Sequence, residues 1–262
     1  MKKLGIIAGE DSLPLTIAES FNGEVYVAAI KNHAEPKEFS DYNCEEFQIG
    51  HVGKIIKFFQ RHDVTDVVLA GAIRRFNFQD VSVDFDGAIL VTKIMAKKFL
   101  GDDSLLRIVA DFIESKAIQI HSPLEYINNS AVATKTKPTK DFLNDIEYAR
   151  KVVEELGKLD VGQSVIVERG MILGVEAAEG TDHLIKRCFA FAKDGKASIL
   201  VKMAKPNQDR RLDTPVIGPK TIKNAIDSDM AGIAVEKNSV ILIEPQKIVE
   251  LADKNKFFVH LF

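Results

Sequence analysis

The chain has 262 residues, 46% of them hydrophobic and 28% charged, a globular composition with enough apolar material for one large or two small domains. Its formal net charge of −3 excludes a global basic field, so no nucleic-acid partner is expected and any anion binding must be local. Cys44 and Cys188 lie too far apart to form a metal-type pair and read as buried thiols in a reducing compartment.

The N-terminal "MKKLGIIAGEDSLP" meets charge again at Glu10 and Asp11, too early for the core of a signal peptide. Apolar runs at 3–9, 24–30, 45–49, 64–73 and 118–121 predict strands, and segments with helical spacing at 13–21, 52–62, 88–100 and 103–117 predict helices. Strands alternating with helices at this spacing predict an α/β fold whose first domain, residues 1–127, is a Rossmann-like parallel sheet. Polar "INNSAVATKTKPTKD" breaks the periodicity and predicts a linker over 128–141. A C-terminal mixed α/β domain, 142–262, is then expected. Its helices are predicted at 142–159, 183–192, 219–228 and 245–255, and its strands at 197–203 and 256–261. Two strands are expected around the "ERG" turn within 163–180, and two more within 231–243. No segment approaches the roughly 20 apolar residues of a membrane span.

Four stretches could carry chemistry. "GIIAGEDSLP" (5–14) joins a strand to a helix, a place that can hold a phosphate at Gly9, Glu10, Asp11 and Ser12. It reads equally as a tight turn with Asp11 or Ser12 capping the helix. "FLGDDSLLR" places Asp102 and Asp103 before a helix, where capping by Asp103 or Ser104 competes with ligand binding. In "VEAAEGTDHLIKR", Glu176, Glu179 and Asp182 form an oxygen-rich set suited to Mg²⁺, while Thr181 or Asp182 could merely cap the next helix.

The fourth is "LVKMAKPNQDRRLDTPVIGPKT" (200–221), where Lys202, Lys205, Arg210 and Arg211 mingle with Asp209 and Asp213. Pro206, Pro215 and Pro219 restrict its freedom. Cations for phosphate oxygens beside carboxylates for a metal suit pyrophosphate cleavage, which is largely positioning and charge neutralisation. A solvated loop is the alternative. The six histidines form no H-x-x-x-H cluster, and neither a G-x-S-x-G elbow nor a Walker-type loop occurs. A serine hydrolase, a zinc enzyme and a P-loop ATPase are therefore not expected.

On these motifs, together with "AGAIRR" (70–75) and "AGIAVE" (231–236), the chain resembles the LpxI-type UDP-2,3-diacylglucosamine pyrophosphatases of lipid A biosynthesis almost end to end. Glu10–Asp11 stand where the family pattern is richer in glycine. The resemblance implies a two-domain enzyme that holds a lipidated sugar nucleotide between its domains. It also implies Mg²⁺-dependent hydrolysis (Mn²⁺ in its place) to UMP and 2,3-diacylglucosamine 1-phosphate. Asp213 and Asp209 are the implied catalytic carboxylates, and Asp213, Glu176, Glu179 and Asp182 the candidate metal ligands. Lys202, Lys205, Gln208, Arg210, Arg211 and Thr181 would bind substrate, with Gly9–Ser12, Asp102 and Asp103 on the nucleotide side. Phe-rich helices carrying Phe58, Phe59, Phe99, Phe112, Phe189 and Phe191 could meet the acyl chains, although core packing accounts for most such rings. A cytoplasmic protein is expected, with peripheral contact at the inner membrane and a homodimer both open.

Overall fold

The computed structural model describes residues 2–74, 81–97, 102–127, 132–192, 196–206 and 208–262, with the backbone alone for Asp102 and Asp103. Two units emerge. The first comprises Met1–Asn128 with Asp209–Asp213, and the second Asn129–Gln208 with Thr214–Phe262.

In the first unit the short apolar runs form β1 (Lys3–Ala8), β2 (Glu24–Ile30), β3 (Asn43–Phe47), β4 (Asp66–Ala70) and β5 (Gln119–His121). They make an all-parallel sheet of order β3-β2-β1-β4-β5. The amphipathic segments form α1 (Leu13–Ser20), α2 (Val52–Arg61), α3 (Phe85–Met95) and α4 (Asp102–Glu114). Strand order reverses at β1, the arrangement that opens a crevice at the carboxyl edge of a doubly wound sheet. Helix α2 shows why these segments are helical. Ile55, Ile56, Phe58 and Phe59 face the core while Lys54, Lys57, Gln60 and Arg61 face water, and each buried Phe contributes about 1.5–3 kcal/mol.

Helix α3 starts three residues earlier than its hydrophobic spacing predicts. Asp84 causes the difference. Its carboxylate accepts the Gly87 N–H at 2.8 Å, and also the N–H groups of Gly53 (3.2 Å) and Lys54 (2.9 Å) in the first turn of α2. One side chain thus caps two helices.

The second unit contains α5 (Lys140–Lys158), β6 (Ser164–Glu168), β7 (Met171–Val175), α6 (Thr181–Phe189), β8 (Ser198–Lys202), β9 (Val216–Ile217), α7 (Pro219–Asp227), β10 (Gly232–Val235), β11 (Ile241–Leu242), α8 (Pro245–Lys254) and β12 (Phe258–Leu261). Its main sheet runs β12-β10-β8-β6-β7, with β8, β10 and β12 parallel and β6 antiparallel to both neighbours. Alternation divides the strand residues between two faces. Val165, Val167, Ile199 and Val201 pack with α5, and Ile166, Leu200, Ile233 and Val235 with α6, α7 and α8. The "ERG" turn is the expected hairpin: Asp145 of α5 accepts the N–H groups of Arg169 (3.0 Å) and Gly170 (2.7 Å).

The stretch expected as a linker is built into the second unit wherever it is described. Val132 joins the core on the α6–α8 face. The buried Thr134 hydroxyl accepts the Val259 N–H at 3.2 Å, and Thr139 caps α5. Polar composition suggests a free connection, but Val132 and Thr134 are held by strands and helices distant in the chain. Residues 128–131 lie outside the described residues. Among the described residues no helix is long and apolar enough to cross a membrane.

Asp84→Ala is expected to lower unfolding stability by about 1–3 kcal/mol, because it leaves the leading amides of two helices without their acceptor. Burial opposes ionisation of Asp84, but the three backbone N–H groups and nearby His51 hold its pKa below the ordinary Asp value. Its contribution is therefore complete above the unfolded-state pKa of roughly 3.9 and lost as pH falls through the lower folded value. Urea denaturation from neutral to acid pH checks both, with Asp84→Asn removing this acid-dependent part.

Candidate functional site

In the first unit the chain leaves β1 through Gly9–Ser12. The Gly9 N–H donates to the Ala70 carbonyl at 2.8 Å, and Glu10 and Ala72 exchange backbone hydrogen bonds of 2.8 and 3.2 Å. The loop after β1 is thereby tied to the residues after β4, at the carboxyl edge where strand order reverses. This approach requires glycine. A Cβ on Gly9 would lie 2.5 Å from the Ala72 carbonyl oxygen, and Gly71, at φ 87°, is pressed against the Glu10 backbone. Asp11 takes φ 72°, a conformation more natural to glycine.

Ser12 occupies the N-cap position of α1 but makes no side-chain capping hydrogen bond, so capping does not explain the loop. Glu10 forms an ion pair with Arg74 at 2.5 Å, which supplies a cation beside the acidic turn. Helix α4 begins at Asp102. The side chains of Asp102 and Asp103 lie outside the described residues.

The segment Asp209–Asp213 forms one turn, in which the N–H groups of Leu212 (2.9 Å) and Asp213 (3.1 Å) donate to the Asp209 carbonyl. The Asp209 carboxylate accepts from Arg211 three times: from its backbone N–H at 3.1 Å, Nε at 3.1 Å and Nη2 at 2.8 Å. Arg211 Nη1 continues to Glu114 Oε1 at 2.8 Å. Ser122 donates its hydroxyl to the Arg210 carbonyl at 2.9 Å, and Leu212 enters the core of the first unit. The Arg211 guanidinium holds the Asp209 carboxyl below its ordinary pKa, and Asp209 in turn raises that of Arg211. Arg211 and Asp209, expected at a diphosphate and its attacking water, are thus committed to one another.

In the second unit, Lys202 ends β8. Register places Ser164 of β6 opposite Lys202, and the Glu176 N–H donates to the Ser164 carbonyl at 2.8 Å. Alternation turns all three side chains to the face covered by α6 and α7. Lys202 is 4% exposed and Glu176 6%. Their link is the Thr181 hydroxyl, which accepts from Lys202 Nζ at 2.7 Å and donates to Glu176 Oε1 at 2.8 Å. The other Glu176 oxygen, Oε2, and the Ser164 hydroxyl are buried without a hydrogen-bond partner among the described residues.

Thr181 is therefore no cap. Gly180, at φ 78°, precedes α6, Gly218 precedes α7, and neither helix start has a side-chain capping bond. The two first turns meet where Thr221 donates its hydroxyl to Asp182 at 3.1 Å and Lys220 pairs with Asp182 at 3.5 Å. Two helix N-termini and a buried ammonium at one sheet edge favour anions. Lys205 is turned to other work: its Nζ pairs with Asp160 at 2.6 Å, and its N–H donates to the Gln208 side-chain oxygen at 3.0 Å.

The carboxylates expected to hold Mg²⁺ are divided among partners. Glu176 accepts from Thr181, Glu179 receives Arg187 Nε at 3.0 Å and Nη2 at 2.8 Å, and Asp182 receives Thr221 and Lys220. Among the described residues no three His, Cys, Asp or Glu side chains are grouped to hold a metal ion. Glu176, Glu179 and Asp182 consequently do not fit a preformed Mg²⁺ cage, which needs oxygen ligands converging on one octahedral centre. Sequence reasoning missed Glu114, Ser122 and Ser164. Ser164 had a signal as the lone hydroxyl inside the apolar run "SVIV", whereas Glu114 and Ser122 gave none.

Gly9→Ala should cost about 1–3 kcal/mol, since a backbone carbonyl blocks the new methyl. Asp11→Gly should remain within about 1 kcal/mol of the parent, relief of the left-handed φ offsetting the added freedom of the unfolded chain. Paired urea titrations separate the two outcomes.

Comparison with known proteins covers both units. The LpxI N-terminal domain model matches residues 3–130 and the LpxI C-terminal domain model residues 129–260. The protein named UDP-2,3-diacylglucosamine pyrophosphatase LpxI from Caulobacter vibrioides is 30% identical over 272 residues, covering 99% of this chain and 97% of that protein. Buried Lys202 and the loop at Gly9 lie within those matches, and the chain belongs to the LpxI family.

Proposed function

We propose that this chain is a UDP-2,3-diacylglucosamine pyrophosphatase of lipid A biosynthesis. It adds water across the diphosphate, breaking one phosphorus–oxygen bond to release UMP and 2,3-diacylglucosamine 1-phosphate. The observation that carries this reading is the end-to-end match to a relative bearing that name. The buried Lys202 ammonium beside the N-termini of α6 and α7 supports it, because diphosphate cleavage is accelerated chiefly by fixed positive charge near the phosphoryl oxygens.

In this reading Lys202 and Arg210 neutralise the diphosphate, Thr181 holds Lys202, and the Gly9–Ser12 loop receives the nucleotide. Asp213 is the carboxylate that orients water. Asp209 holds Arg211 and, through it, the shape of the turn that carries Asp213. Mg²⁺, or Mn²⁺ in its place, belongs to the proposal as an ion brought by the diphosphate itself, since Mg²⁺ keeps its waters and takes only one or two carboxylates beside substrate phosphates. It would supply further neutralisation of phosphoryl charge, with Asp213 as its protein ligand.

Of the phenylalanines considered for the acyl chains, Phe58, Phe59 and Phe112 are buried in the first unit's core. Phe99 lies outside the described residues. Phe189 and Phe191, 53% and 61% exposed at the end of α6, remain for acyl chains or a membrane surface.

The test is UMP release from the diacylated UDP-sugar by the purified protein. Asp213→Asn should retain the parent unfolding midpoint and lose at least about a hundredfold in kcat, whereas Asp209→Ala should lose both activity and stability. Wild-type turnover by Asp213→Asn would remove that residue from the chemistry. Binding of the substrate without UMP release, with either metal, would make the chain a sugar-nucleotide binding protein. Chelation with EDTA should halt release and added Mg²⁺ restore it; an unaffected rate would remove the metal from the reading.

A further inference from the structure

The Lys202 ammonium serves the diphosphate in the proposed reaction, whereas Glu176 has no part in it. Glu176 and Lys202 are among the few charged side chains buried in this unit. They are joined in series: Lys202 Nζ to the Thr181 hydroxyl at 2.7 Å, and that hydroxyl to Glu176 Oε1 at 2.8 Å. The direction of the series matters. Because Glu176 accepts the hydrogen bond of the hydroxyl, the Thr181 oxygen must turn its lone pairs toward Lys202. A Thr without that acceptor could rotate and leave the ammonium unpaired. Glu176 itself is held by its backbone N–H on Ser164, and Gly162 permits a close approach to its carbonyl.

The series is also unfinished. Lys202 has three N–H donors and only the bond to Thr181 among the described residues, while Glu176 Oε2 and Ser164 Oγ are buried acceptors without a donor. Unfilled donors and acceptors beside two helix N-termini mark a place where polar atoms from outside the chain complete the bonding.

We propose that Glu176 is a positioning residue that acts through the Thr181 hydroxyl to aim the Lys202 ammonium at a phosphate oxygen of the ligand. The subsite takes a phosphate ester. Glu176 coordinates no metal in this arrangement, and its remaining oxygen accepts a donor of the bound ligand. The inference rests on the hydrolase reading for its kinetic test only, because binding tests it separately.

The experiment is a set of double-mutant cycles on the full chain using Glu176→Gln, Thr181→Val, Thr181→Ser and Lys202→Met. Each is measured for UMP release and for calorimetric affinity toward glucosamine 1-phosphate. Thr181→Val and Glu176→Gln should each lower kcat/KM and affinity at least about tenfold, as expected for loss of a bond in a charged series. Thr181→Ser should recover most of the loss. The Thr181→Val/Glu176→Gln double variant should be no worse than either single one, since groups acting in series are not additive. Wild-type behaviour of Glu176→Gln, or a double loss equal to the product of the single losses, would overturn the proposal. If Glu176→Gln fails to fold, Glu176→Asp, whose shorter side chain falls away from the Thr181 hydroxyl, takes its place in the cycle and decides by the same criterion. If the parent releases no UMP, the hydrolase reading fails, and the affinity cycle still confirms or overturns the series. No measurable affinity of the parent for glucosamine 1-phosphate would overturn the phosphate-ester subsite while leaving turnover intact.

Discussion

Removing an ammonium from water costs several kcal/mol unless other groups replace the lost hydration. Lys202 is buried at the end of β8 with a neutral hydroxyl as its hydrogen-bond partner, and the Glu176 carboxylate lies one bond further on. Much of the second unit's functional edge is arranged around that requirement. The Gly180 turn brings Thr181 over the sheet, the β6–β7 pairing fixes Glu176 beside Ser164, and α6 and α7 start at the same edge. A leucine at position 202 would satisfy a buried strand end more simply. A lysine there is costly for the fold and useful for an anion, which is the usual signature of a site rather than a core position.

The first unit meets a different constraint at the corresponding end of its sheet. Parallel strands finish together at one edge, so loops leaving β1 and β4 must pass close to each other. Here they hydrogen-bond through Gly9, Glu10, Ala70 and Ala72, and only residues without a Cβ fit at positions 9 and 71. The acidic turn would repel a phosphate by itself. Arg74, from the loop after β4, balances Glu10, so the two loops are matched in charge as well as in shape.

Within the mixed charges of 200–221, some cations are held by carboxylates while Lys202 is held by a neutral hydroxyl. Arg211 binds Asp209 and Glu114, and Lys205 binds Asp160. Such partly screened pairs hold a turn in shape more than they stabilise the whole fold. Lys202, by contrast, retains donors for a ligand. By residue pattern Lys202, Lys205 and Arg211 are equivalent phosphate contacts, and their pairing in the fold separates them.

Element type was legible from residue pattern almost throughout, because periodicity of apolar residues reports directly on which face meets a core. The alternation of strands and helices in the first unit, the hairpin at "ERG", the long amphipathic α5 and the family likeness of the motifs were all readable in this way. What the pattern could not supply was partnership at a distance. Asp84 serving two helices and Thr134 reaching β12 depend on residues far away in the chain. So do Arg211 reaching Glu114 and the sharing of Thr181 between Lys202 and Glu176. A sequence records which groups can donate and accept. Only the tertiary structure decides which donor is already satisfied, and a side chain left with unfilled bonds after folding is one a ligand can use.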